Sequence, residues 1–84
     1  MSGHSTEYLN KSRLVPHFIT TDGDGKEINR GDLVTGHRGN VAQFIRATRA
    51  SQPGKSGKVV VHWIVDAYQG EYYSDVFNLH VKEV

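Results

Sequence analysis

Cysteine is missing from all 84 residues. That excludes disulfides, thiolate zinc sites and a cysteine nucleophile, and it fits a reducing compartment. Only two prolines occur, Pro16 and Pro53. Pro16 has no backbone donor, so the apolar stretch around it (Leu14, Val15, Phe18, Ile19) reads as an edge strand or extended arm. No apolar run approaches the ~20 residues of a membrane-spanning helix. Met1 to Asn10 is polar and lacks the apolar core of a signal peptide. These absences lead to the expectation of a cytoplasmic protein with no membrane partner.

Two further absences are local. No window sustains the 3.6-residue apolar period of a surface helix, so helices of several turns are not expected. No acid occurs between Arg38 and Val65, a stretch holding Arg38, Arg46, Arg49, Lys55 and Lys58. A net charge of only +1 therefore conceals a basic middle third. Such a block attracts anionic partners, nucleic acid first among them. It also serves the plainer purpose of keeping a loop solvated.

The length suits one domain. A chain of this size buries only roughly 60–65% of its unfolded surface, so its stability margin is thin. Met1 to Ser12 is expected to be a mobile arm, and residues 13–84 the folded domain. Asp22-Gly23-Asp24-Gly25 is the strongest turn signal, and Asn29-Arg30-Gly31-Asp32 is a second. Leu33 to Thr35 begins a strand. Val41 to Thr48 is another, with Val41, Ile45 and Ala47 on one face and Ala42 and Phe44 on the other. Ser51 to Lys58 is a loop. Val59 to Val65 is apolar on both faces and should be the central strand. Ala67 to Glu71 turns the chain. Phe77, Leu79 and Val81 alternate with polar residues as a half-buried strand, with a 3₁₀ turn over Val76 to Leu79 as an alternative. Five or six short strands separated by glycine turns describe an all-β, small barrel or sandwich.

Arg30-Gly31-Asp32-Leu33-Val34, then Arg38-Gly39 and Val41-Ala42, resembles the opening of an SH3-like or KOW-type barrel. The resemblance implies an SH3-like half-open barrel. Gly31 to Val81 also resembles small accessory proteins of bacteriophages that infect actinobacteria. Arg46 to Ala50, Pro53 to Val59, Tyr72-Tyr73 and Val76 to Leu79 carry that likeness. It implies a viral origin and a place in the host cytoplasm, and brings no activity with it.

Several chemical motifs fail on inspection. Gly54-Lys55-Ser56 matches the end of a phosphate-binding loop, but Arg49 stands where its first glycine belongs, and a strand follows where a helix is needed. Thr20 to Gly31 has part of a calcium-loop spacing, yet Gly31 occupies the position of the bidentate acid. Of the histidines, His62 and His80 would meet if their strands were adjacent, but two imidazoles make only a weak metal site. No cofactor is expected.

The most informative constellation combines cations with aromatic rings. Arg46, Arg49, Lys55 and Lys58 flank one loop, Arg38 lies upstream, and Trp63, Tyr68, Tyr72 and Tyr73 follow. Rings stack on bases while cations hold phosphates. Trp63 should be partly core, because aromatics dominate small cores. An extended Tyr72-Tyr73 pair must point to opposite faces, leaving one outside. The expectation is a non-enzymatic binding module for nucleic acid or a nucleoprotein, contacted through Arg38, Arg46, Arg49, Lys55, Lys58, Tyr68, Tyr72 and Tyr73. Two alternatives stand beside it. One is an interaction module acting on a host protein through the tyrosines. The other is an oligomeric enzyme with a site between subunits.

Overall fold

A computed structural model describes residues 17–84. The expected arm, residues 1–12, and the segment up to Pro16 lie outside the described residues. Strand β1 (Phe18–Thr21) and β2 (Glu27–Ile28) form a hairpin. Aspartate chemistry makes its turn. Asp22 Oδ1 accepts from the backbone N–H of Asp24 and of Lys26, each at 2.9 Å. The second predicted turn closes similarly. Asn29 N–H donates to Asp32 Oδ2 at 2.8 Å, and Asp32 N–H returns a bond to the Asn29 carbonyl at 3.0 Å. It delivers the chain into β3 (Leu33–Thr35). The strands β4 (Val41–Arg49), β5 (Lys58–Trp63) and β6 (Tyr68–Tyr73) follow. A 3₁₀ turn (Ser74–Phe77) then leads to β7 (His80–Glu83).

The all-β expectation holds, with seven short strands among the described residues rather than five or six. They form two antiparallel sheets, ordered β2-β1-β7 and β3-β4-β5-β6. The sheets are not joined into one closed ladder. Ile28, Val34, Ala42, Phe44, Val59, Val61, Phe77, Leu79 and Val81 form the buried core. No helix among the described residues is long and apolar enough to cross a membrane.

The central strand is where its composition put it. β5 lies between β4 and β6, and Val59, Val60 and Val61 are all buried. It stops at Trp63, two residues before its apolar run ends. Ile64 and Val65 sit exposed in the turn to β6, which begins at Tyr68. Ala67 completes that turn with a positive φ of 51°. A turn built from β-branched residues carries no glycine or proline signal, so the expected turn fell several residues late.

β4 departs from simple alternation. Its register with β5 slips between Phe44 and Arg46 and again between Ala47 and Arg49. The first irregularity spends Ile45 as an extra residue and returns Ala47 to the face of Ala42 and Phe44. Ala47 therefore packs against the core, not on the face of Val41. At the C-terminus, Phe77 and Leu79 are buried as their alternation suggested, but neither is in a strand. The 3₁₀ turn carries Phe77 into the core, and Asn78 ends it in the left-handed region at φ 56°.

Ser51 ties the two sheets together. Its Oγ accepts from the N–H of Gly57 and of Val81, both at 3.1 Å. Its own N–H donates to the Val81 carbonyl at 2.7 Å. Gly57 and Val81 are buried, so the Ser51 hydroxyl satisfies two donors that water does not reach. Each buried donor left without a partner costs about 1–3 kcal/mol. Ser51→Ala should lower unfolding stability in urea by about 2–4 kcal/mol. An unchanged denaturation midpoint would show that the tie is dispensable.

Candidate functional site

The β4–β5 hairpin and the neighbouring β6 place three side chains in one cross-strand row. Arg49 is opposite Lys58, and Lys58 is opposite Tyr73. Alternation explains their common face. Val59 and its partner Tyr72 point toward the core, so Lys58 and Tyr73, one residue away on each strand, point outward. Lys58 Nζ lies 5.2 Å from the centre of the Tyr73 ring, and the Arg49 guanidinium carbon 5.9 Å from it. Both distances are within the ~6 Å at which a cation feels the negative face of a ring. Tyr73 remains 53% exposed.

The hairpin tip adds a third cation. Gln52 and Lys55 exchange backbone hydrogen bonds at 2.9 and 2.8 Å around Pro53-Gly54. Proline pre-sets the first corner of this turn, and Gly54 takes a φ of 76° at the second. Lys55 and Ser56 are thereby brought beside the row. Arg49 Nη2 donates to the Ser56 carbonyl at 3.4 Å, which holds the guanidinium across the base of the loop. Arg49, Gly54, Lys55, Ser56, Tyr73 and Asp75 line one open cleft of about 510 Å³. Glu71 belongs to the same outward face, but its carboxylate is engaged by the Thr48 hydroxyl.

The remaining predicted site residues are elsewhere. Arg46 is opposite Val60 and lines a separate cleft of about 300 Å³ with Phe18, Ile28, Arg30 and Phe44. Register puts it on the same outward side as Arg49, because their partners Val60 and Lys58 are two residues apart on β5, but the two line different clefts. Tyr72 faces inward, and its hydroxyl accepts from Trp63 Nε1 at 2.8 Å. Its ring meets Trp63 and Phe77 edge-on at centroid distances of 5.4 and 6.1 Å. Tyr72 is thus a support of the core margin, and Trp63 is half-buried beside it. Tyr68 is exposed and shares a cleft with Asn40, Trp63, Val65 and Tyr72. Arg38 lies across that aromatic margin with His37 and Val76.

The structure therefore brings together Arg49, Lys55, Lys58 and Tyr73, and separates them from Arg38, Arg46, Tyr68 and Tyr72. The imagined meeting of His62 and His80 does not occur. His62 is in β5, which pairs with β4 and β6, whereas His80 is in β7, which pairs with β1. Asp75 was not singled out from the sequence. Its only signal is its position two residues after Tyr73, at the start of the 3₁₀ turn. Chemically, the row offers three cations to anions, one exposed ring to flat groups, and one carboxylate to hydrogen-bond donors. Comparison with protein-family models, curated proteins and solved structures finds no match.

Proposed function

We propose that this domain is a non-enzymatic nucleic-acid-binding module, working through Arg49, Lys55, Lys58 and Tyr73. The observation that carries the reading is the close approach of two cations to one exposed ring, with a third cation on the adjoining loop. Phosphates and bases need these two chemistries side by side. The reading extends to an SH3-like barrel in a bacteriophage accessory protein acting in the host cytoplasm. Two sheets sharing one core, with a 3₁₀ turn before the last strand, support the barrel part of it.

A second reading draws on the other cleft. Val65 is 88% exposed and Tyr68 59% exposed beside Trp63, a margin suited to an apolar protein partner. Salt separates the two. Binding to phosphates releases counterions, and three contacts to a single strand give a slope of log affinity against log salt of about −2. Raising salt from about 50 to about 200 mM should weaken binding of a fluorescent oligonucleotide roughly twentyfold. An anisotropy titration of the wild type at the two concentrations reads this directly. Absence of binding at the lower salt removes the nucleic-acid reading and leaves the protein partner.

A further inference from the structure

The lining of the cleft also distinguishes among nucleic acids, given that it binds one at all. Duplex DNA or RNA presents phosphates to a surface and keeps its bases stacked inside, so an exposed tyrosine adds little to its capture. An unpaired base, by contrast, gains from a ring on which to stack. Tyr73 is suited to this. It is 53% exposed at the end of β6, which is an edge strand of its sheet among the described residues. Lys58 and Arg49 lie over the ring in the free protein. Both have long flexible stems, so a base can take the ring while the cations turn to the flanking phosphates.

Asp75 decides which base. Among the described residues it is the one acid lining the cleft, and a carboxylate there opposes phosphate. What it accepts is N–H donors, two side by side if they are offered. The Watson–Crick edge of guanine presents N1–H and N2–H₂ next to each other. Thymine and uracil present one N–H between two carbonyl oxygens, which a carboxylate repels. We infer that the cleft binds single-stranded nucleic acid with a guanine stacked on Tyr73 and its Watson–Crick edge on Asp75. This inference rests on the nucleic-acid reading above and specifies the strand and the base.

The test is anisotropy of the full chain with three fluorescent probes at low salt. One is a short all-thymine strand, one a strand carrying isolated guanines, and one a duplex of the latter. The wild type should prefer the guanine strand to both others. Tyr73→Phe keeps the ring and should bind as the wild type does. Tyr73→Ala should lose roughly five- to hundredfold in affinity for the guanine strand. Asp75→Asn removes a charge that repels every strand, so affinity for the thymine strand should rise, and it removes the paired acceptor for guanine, so the guanine-to-thymine ratio should fall toward one. Thermal melts of each variant verify folding, which these exposed positions should preserve. Equal binding of strand and duplex, indifference to Tyr73→Ala, or a ratio unmoved by Asp75→Asn overturns the inference while nucleic-acid binding stands. No binding to any of the three probes overturns both.

Discussion

Gly57→Ala should unfold the domain or leave it barely folded. Gly57 is buried at the point where the β4–β5 loop passes between the end of β4 and the middle of β7. A Cβ there would overlap the Arg49 carbonyl oxygen and would come within 3.0 Å of the Ser51 nitrogen and of Val81 Cβ. The first two are backbone atoms and cannot swing aside as a side chain would. Two of the three residues, Ser51 and Val81, also belong to the tie in which the Ser51 hydroxyl accepts from the N–H of Gly57 and of Val81. Making room for one methyl group therefore breaks two hydrogen bonds and parts the two sheets. A loss above about 3 kcal/mol is expected, against a total stability of about 5 kcal/mol or a little more for a small domain. Gly54 in the same loop is the internal comparison. It needs glycine for its positive φ, but a Cβ there meets nothing within 4 Å. Gly54→Ala should cost only about 1–2 kcal/mol. Thermal melts of the two variants should differ widely, by ~4–8 °C for each kcal/mol between them. Equal, small shifts would mean that the loop does not pass as closely to β4 and β7 as described.

The contrast between these glycines shows where the sequence is readable. Gly54 sits in Gln52-Pro53-Gly54-Lys55, and proline followed by glycine announces a tight turn through local backbone preference. Gly57 is required by residues six and twenty-four positions away, and nothing local marks it. The same division runs through the fold. Local chemistry placed the Asp22 turn, the Asn29 turn and the valine-rich central strand. Long-range geometry set the rest. The irregularity at Ile45 is imposed by pairing with β5, and it reassigns Ala47 to the core. Val65 looked like strand because it is β-branched, yet pairing with β6 requires the chain to turn before it.

The candidate site divides along the same line. Composition alone exposed a basic stretch with no acid, and alternation alone required one of Tyr72 and Tyr73 to face outward. The sequence could not say which tyrosine, because that depends on which face of β5 meets the second sheet. The inward role fell to Tyr72, whose hydroxyl is the partner of the Trp63 indole. Nor does spacing along the chain place Arg46 correctly relative to Arg49. They are three residues apart, and a regular strand would put them on opposite faces. The irregularity between Ala47 and Arg49 instead turns both outward, opposite Val60 and Lys58, where they nonetheless line different clefts.

That separation sharpens the strongest functional prediction. Replacing Arg49, Lys55 and Lys58 together with glutamine should abolish measurable binding to single-stranded oligonucleotides at moderate salt. Glutamine keeps much of the stem length and polarity while removing the charge, so packing of the exposed row changes little. Each lost phosphate contact removes about 0.7 from the slope of log affinity against log salt for a single strand, so three should flatten a slope of about −2 to near zero. Any residual affinity would come from Tyr73 stacking and should hardly respond to salt. Arg46→Gln supplies the decisive comparison. Arg46 contributes the same formal charge within the same basic stretch, but it lines the cleft with Phe18 and Ile28 instead. It should leave the slope within about 0.3 of the wild type, less than half of one contact. If Arg46→Gln weakens binding as much as any one of the three, a diffuse field of the whole basic segment does the binding and the Tyr73 row has no special part in it. If the triple variant binds with the wild-type slope, the phosphates are held elsewhere and the row is not the interface.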